Sequence, residues 1–363
     1  MRFQGLRRQP VHGEWMATPV KDAVWPRWIE RSVEEAEPGS TGAASHLRFR
    51  CCLDELPDHL VPEYAFRSQG EVNRSDQDLR VNPAGWFGKN GALPDDISDA
   101  LGALRILVAE HRDLVCIRDP GSKVLQPFSL GPGLGALLAG SQPGTPAPPG
   151  IPCETRSVLA VAGVLVPEDW AEIRRGKWSA AVSQGTQTFR QQGFVPVRQL
   201  IHPFHLSALR RYYRRLVRSG LMPMGDGQCA RRYIAHNDSV AAFFHRQLMP
   251  VVSALVEKAI KLSYVYVGCY QEGAVLEKHT DREQCEFSVS LCLDYAPEPR
   301  VATPWPIQLH TASGRTTIFQ AIGDGLLYRG RDIPHSRGRL PRGHNSTSIF
   351  FHYVLDDFSG GLN

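Results

Sequence analysis

Two kinds of periodicity divide the chain. In its C-terminal half, Ser263–Tyr270, Cys285–Leu293 and Ser346–Val354 are rich in β-branched and aromatic residues that alternate at period two, the pattern of strands with one face buried. Shorter runs of the same kind are Phe194–Val197, Ile307–Leu309 and Thr316–Phe319, the last two joined as a hairpin about Ser313–Gly314, and Asp324–Gly325 turns into another short strand. Two helical patterns precede most of these strands. Leu206–Ser219, closed by Gly220, puts Leu206, Leu209, Tyr213, Leu216 and Val217 on one face and Arg210, Arg211, Arg214, Arg215 and Arg218 on the other. A second helix starts at caps within Asn237–Ser239 and runs to about Lys261, burying Val240, Phe243, Phe244, Leu248, Val251, Val252, Leu255 and Ala259. Closely spaced strands separated by Pro/Gly turns match a jelly roll rather than a parallel βαβ fold.

The N-terminal half reads as a separate small α+β unit over 46–166. His46–Leu53 alternates like a strand, and Leu114–Ile117 reads as another. Asp95–His111 is an amphipathic helix with Leu101, Leu104, Leu107 and Val108 inward and Asp95 or Ser98 as its cap. Ser141–Pro152 holds five prolines and reads as a stiff linker before the apolar run Val158–Val166. Residues 1–45 have no sustained period. They are expected to be partly disordered or an arm, and Trp15, Trp25 and Trp28 favour an arm lying on the body.

Composition narrows the classes. With 363 residues, 42% hydrophobic and 21% charged, the chain has material for a sizeable core. A formal charge of +4 creates no global field that singles out nucleic acid or anionic lipid. The arginine face of the Leu206–Ser219 helix is ordinarily a solvated face; its sharper reading is a contact for an acidic carrier, a peptide or nucleic acid. The eight cysteines show no zinc-site spacing, the N-terminus lacks an apolar signal core, and no membrane-spanning run is read. A reducing cytoplasm is the expected setting, with Cys285 and Cys292 as small buried hydrophobes.

The chemistry concentrates in His279-Thr280-Asp281 and the more distant His335. On a strand, residues i and i+2 face the same way, so His279 and Asp281 would present an imidazole and a carboxylate together. A second imidazole from His335 completes a two-histidine, one-carboxylate set that leaves three octahedral positions of Fe(II) open. The run Tyr270-x-x-Gly273-x(5)-His279-x-Asp281, with His335 after the Asp324–Gly325 turn, resembles the prolyl-4-hydroxylase-like branch of the Fe(II)/2-oxoglutarate dioxygenases over roughly residues 187–358.

That resemblance implies a double-stranded β-helix core with buttressing helices, and His279, Asp281 and His335 as catalytic iron ligands. It also implies 2-oxoglutarate as co-substrate and O₂ as oxidant. Related halogenases have a small residue in place of the carboxylate, so Asp281 points to hydroxylation or another oxidation. Relatives place an Arg or Lys about ten residues beyond the distal histidine to hold the far carboxylate of 2-oxoglutarate; here His344-Asn345-Ser346 stands in that register. Arg337, two residues beyond His335 on extended backbone, is the first substitute, and Arg342 the second. Tyr270 stands where relatives put a tyrosine hydroxyl near 2-oxoglutarate; it would equally fill the barrel. The implied substrate is an amino-acid, peptidyl or natural-product C–H, with the N-terminal region free to contact a carrier or peptide. Two rivals are a cupin-like metalloenzyme that does not use 2-oxoglutarate and a non-catalytic binding protein.

Overall fold

The computed structural model describes residues 49–56, 79–89, 92–102, 104 and 113–362. The arm over 1–45, the start of the 46–53 strand and the end of the 95–111 helix lie outside the described residues. In chain order the N-terminal elements are β1 (Arg80–Val81), β2 (Gly85–Lys89), α1 (Asp95–Leu101), β3 (Asp113–Arg118), β4 (Leu125–Leu130), α2 (Pro132–Leu138), α3 (Cys153–Val161) and β5 (Leu165–Val166). β2, β3 and β4 form an antiparallel sheet, and β1 pairs with β5. The described end of the 46–53 run is no strand: Cys52 makes a single bridge to Ser129, and Leu53–Glu55 is a 3₁₀ turn. The Asp54 carboxylate accepts from the backbone N–H groups of Gly131 and Leu134, which turns the chain onto α2. α1 begins after extended Pro94 with no side-chain cap bond, so Asp95 is its first residue and not its cap. The proline-rich stretch is tied down, with Gly144 N–H donating to Val81 O and Ala147 N–H to Leu79 O.

The C-terminal elements are α4 (Trp170–Gln192), β6 (Phe194–Val197), α5 (Pro203–Arg218), β7 (Arg232–His236), α6 (Ser239–Val256), β8 (Ile260–Tyr270), β9 (Leu276–His279), β10 (Phe287–Ala296), β11 (Ile307–Thr311), β12 (Gly314–Ile318), β13 (Gly325–Arg329), β14 (His335–Arg337) and β15 (Asn345–Leu355). They build a six-stranded sheet, β6-β13-β10-β15-β8-β7, and a four-stranded sheet, β12-β11-β14-β9. From β8 to β15 the path passes back and forth between the two sheets, with only the β11–β12 hairpin staying within one. All these pairings are antiparallel, and this is the strand path of a double-stranded β-helix. Phe194, Ile307, Leu309, Leu326, Tyr328 and Ile333, drawn from both sheets, form one buried cluster between them.

Two helices buttress the larger sheet. α5 starts earlier than its apolar period indicates, because Pro203 sits in its first turn and the His202 ring accepts from Phe204 N–H. α6 is capped by Asp238, which accepts from Val240 and Ala241 N–H. It stops at Val256 because Glu257 is left-handed, so Lys261 falls on β8. Of the predicted stripe, Val240, Phe243, Phe244, Leu248, Val251, Val252 and Leu255 are buried, each side chain contributing roughly 1.5–3 kcal/mol, whereas Ala259 lies past the helix end and is exposed. α6 is long and apolar enough by composition to cross a membrane, yet most of it is buried inside the protein.

The arginine face of α5 is solvated only in part. Arg210 and Arg214 both pair with Asp294 of β10, and Arg210 also pairs with Glu298; Arg215 and Arg218 are exposed. The N-terminal elements share one core with these helices. Phe49 packs edge-on against Tyr212 and Phe244, Phe128 stacks on His205, and Leu125 N–H donates to the Gln247 side chain. A carrier contact through the N-terminal region finds no support among the described residues.

Candidate metal centre

His279 closes β9 directly opposite His335, which opens β14. Asp281 follows the end of β9, and its N–H donates to Gly330 O, drawing the loop toward the β13–β14 connection. The ladder and this single bond place three donor atoms together. Asp281 Oδ1 lies 3.5 Å from His335 Nε2 and 3.8 Å from His279 Nε2, and the three donor atoms fall within 4.8 Å of one another.

Both rings are set to offer Nε2. His279 Nδ1 lies 2.7 Å from Glu277 O and His335 Nδ1 lies 3.1 Å from Ile333 O. A carbonyl only accepts, so each Nδ1 donates to it and Nε2 is the nitrogen turned to the cluster. Burial holds the His335 imidazole below its ordinary pKa, hence neutral near pH 7.

The carboxylate is fixed from behind. Ser288 Oγ donates to Asp281 Oδ2 at 2.8 Å and lies 2.9 Å from His352 Nδ1. Its one proton goes to the carboxylate, so His352 Nδ1–H must be the donor to Ser288. Burial pushes His352 down to about 4. Oδ1 is the oxygen of Asp281 that faces the two imidazole nitrogens. Gly330 lets this happen: a Cβ there would lie 2.5 Å from Cys285 O and Ser288 Oγ and would strike Asp281 Oδ2.

Arg337 lies on β14 two residues beyond His335, and both are buried. Its guanidinium donates to Trp305 O at 2.7 Å and to Gln320 Oε1 at 3.2 Å, and it lies over the Trp305 ring. No described carboxylate pairs with it. Burial pulls its pKa down from the ordinary value, but a guanidinium still keeps its proton, so a cation is buried here without a counter-charge. Tyr270 is also fully buried; its hydroxyl accepts from Arg232 Nη1 at 2.9 Å and keeps its own proton to donate. Arg342 is exposed in the turn before β15 and is not brought into the barrel. Asn345, in the register of the relatives' cation, is exposed at the start of β15.

Several residues of this centre carry no signal in the sequence alone: Ser288, His352, Gly330, Gln320, Trp305 and Tyr328. Tyr328 Oη lies 3.4 Å from His335 Nε2. Ser290 and Ser348 add hydroxyls that are buried without a hydrogen-bond partner. Strand alternation and the β10–β15 register set them on the same sheet face as Ser288 and His352.

The donor set fits a ferrous ion: two imidazole Nε2 atoms and one carboxylate oxygen gathered together. An unneutralised guanidinium and unpartnered hydroxyls on the inner face fit an anionic oxygen-rich co-ligand.

No family model matches the chain, and neither does any curated protein. Among solved structures it is similar to a Pseudomonas putida prolyl-4-hydroxylase, at 12% identity over 47% of this chain and 97% of that one, TM-score 0.40. It is also similar to HygX from Streptomyces hygroscopicus, solved with nickel, 2-oxoglutarate and hygromycin B, at 13% identity over 48% and 88%, TM-score 0.40. A third is a Trichoplax adhaerens prolyl hydroxylase in complex with a hypoxia inducible factor peptide fragment, at 14% identity over 47% and 88%, TM-score 0.40. The solved structures to which the chain is similar are thus Fe(II)/2-oxoglutarate oxygenases, prolyl-4-hydroxylases among them, and the similarity covers about half of it.

Proposed function

We propose that this protein is a non-haem Fe(II)/2-oxoglutarate-dependent oxygenase that hydroxylates or otherwise oxidises an unactivated C–H of an amino-acid, peptidyl or small natural-product substrate. One observation carries the reading: Arg337, buried and without a carboxylate partner, shares a strand and a face with His335 of the three-donor cluster.

In this reading His279 Nε2, Asp281 Oδ1 and His335 Nε2 hold the ion. When bound, ferrous ion with 2-oxoglutarate and O₂ supplies an oxidant able to take hydrogen from an unactivated C–H, while 2-oxoglutarate leaves as succinate and CO₂. The chain's own contribution is geometric and electrostatic. Ser288 and His352 hold Asp281 from behind, with Oδ1 toward the two imidazoles that would share the ion. Arg337 pairs with the far carboxylate of 2-oxoglutarate, supplying from β14 the charge that His344-Asn345-Ser346 lacks. The Tyr270 hydroxyl and the unpartnered Ser290 and Ser348 hydroxyls offer further donors on the inner face.

The test is release of labelled CO₂ from 1-¹⁴C-2-oxoglutarate by the purified protein. Release that requires added Fe(II) and O₂ and disappears in Asp281→Ala, with folding retained, is the expected outcome. A folded, iron-loaded wild type that never consumes 2-oxoglutarate, or release undiminished in Asp281→Ala, would overturn the reading.

A further inference from the structure

Tyr328 stands on β13 with its ring packed edge-on against His335 and its side chain fully buried. Among the described residues its hydroxyl has one hydrogen-bond partner, His335 Nε2. That atom is also the one turned toward Asp281 Oδ1 for a cation, because Nδ1 is committed to Ile333 O. The two uses exclude each other: a nitrogen lone pair cannot both accept the tyrosine proton and bind a metal. A phenol hydroxyl carries one proton to donate.

The existing bond is weak. At 3.4 Å it is longer than ordinary hydroxyl bonds, which makes it easily surrendered. Once a metal holds Nε2, however, a buried O–H is left without an acceptor, and that is costly unless another one arrives. Among the described residues nothing else is bonded to this hydroxyl, whereas an oxygen ligand on the metal would stand next to His335.

We propose that Tyr328 is a positioning residue that hands its proton from one acceptor to another: it donates to His335 Nε2 in the metal-free protein, and to a metal-bound oxygen of an anionic co-ligand once the ion is in place. Taking that co-ligand as 2-oxoglutarate rests on the function proposed above; the exchange at Nε2 itself does not. Tyr328 thereby acts twice. It competes mildly with metal binding, and it rewards co-ligand binding afterwards.

Tyr328→Phe removes the hydroxyl and keeps the ring. Mn²⁺ binding to the apoprotein, read by electron paramagnetic resonance, followed by anaerobic titration of the Mn²⁺-loaded protein with 2-oxoglutarate in a calorimeter, separates the two roles. The expected result is Mn²⁺ affinity equal to wild type or a few-fold tighter, with 2-oxoglutarate affinity weakened about tenfold or more, as for the loss of a hydrogen bond to a charged acceptor. Weaker Mn²⁺ binding with unchanged 2-oxoglutarate affinity would overturn the proposal and make Tyr328 a packing residue. Should wild type bind Mn²⁺ but no 2-oxoglutarate, the co-substrate reading fails. The Mn²⁺ arm then judges the exchange alone: equal or tighter binding in Tyr328→Phe supports it, and weaker binding overturns it.

Discussion

The barrel contains two buried guanidinium regions that look alike in sequence and differ in physics. At the α5–β10 contact, Arg210 is buried against Asp294 and Glu298, and Arg214 completes the cluster. Neighbouring charges cancel there. The Arg210 guanidinium is held above its ordinary pKa by Asp294 and Glu298 against the opposing effect of burial, and Arg210 and Arg214 together hold the Asp294 carboxyl below its usual range. On β14, Arg337 is as deeply buried but meets a carbonyl, an amide oxygen and an indole ring, with no carboxylate. The first arrangement is a structural weld. The second is an unfinished one, and the missing partner is what a ligand would bring.

Replacing one member of each region sharpens this contrast. Asp294→Asn leaves two arginines short of their buried counter-charge and should lower stability by about 3–5 kcal/mol, seen as a drop in thermal midpoint with no specific effect on ligand affinity. Arg337→Met removes a charge that no described carboxylate neutralises. The thermal midpoint should stay level or rise while affinity for 2-oxoglutarate falls about a hundredfold. A large loss of stability in Arg337→Met would erase the distinction.

Smaller effects are expected behind Asp281. Ser288→Ala frees Oδ2, and Gly330→Ala pushes a methyl group against the same carboxylate. Each should weaken metal binding by about 10–100-fold, measured by Mn²⁺ titration, with Ser288→Thr recovering part of the loss. Equal metal affinity in Ser288→Ala and wild type would remove that residue from the centre.

The weakest effect concerns pH. Burial pushes His205 and His352 down to about 4 and His202 and His245 down to about 3. Unfolded, each would bind a proton near pH 6.5. Between that value and the folded values the unfolded chain holds more protons, so stability rises with pH and is lost progressively on acidification below about 6.5. His205→Gln, whose amide can still donate to Pro127 O in place of the ring, should flatten that slope in thermal midpoints taken at pH 7 and pH 5. An unchanged slope would exclude His205 as a contributor.

How much of this was legible follows from range. His279, Asp281 and His335 lie beside runs of period-two alternation, so their strand setting could be read locally, and the structure brings the three together. Arg337 was reachable by the same two-residue spacing from His335. Ser288 and His352 were not, because they meet across the β10–β15 register, which no local period encodes. The same limit made Arg210 and Arg214 look solvated, since their partner Asp294 lies far along the chain. Local chemistry overrode periodicity elsewhere: Asp54 curls the end of the 46–53 run onto α2, and Glu257 ends α6 early.

The central claim is that Arg337 and the three-donor cluster form one binding site. Its most direct test is anaerobic addition of 2-oxoglutarate to the Fe(II)-loaded protein, watching for the weak visible metal-to-ligand charge-transfer band in wild type and in Arg337→Met. The account predicts a band in wild type that saturates at low 2-oxoglutarate and needs about a hundredfold more in the variant. A folded, iron-loaded wild type that shows no band, or a variant that titrates identically, would contradict it; the first result would favour a cupin-like enzyme that does not use 2-oxoglutarate.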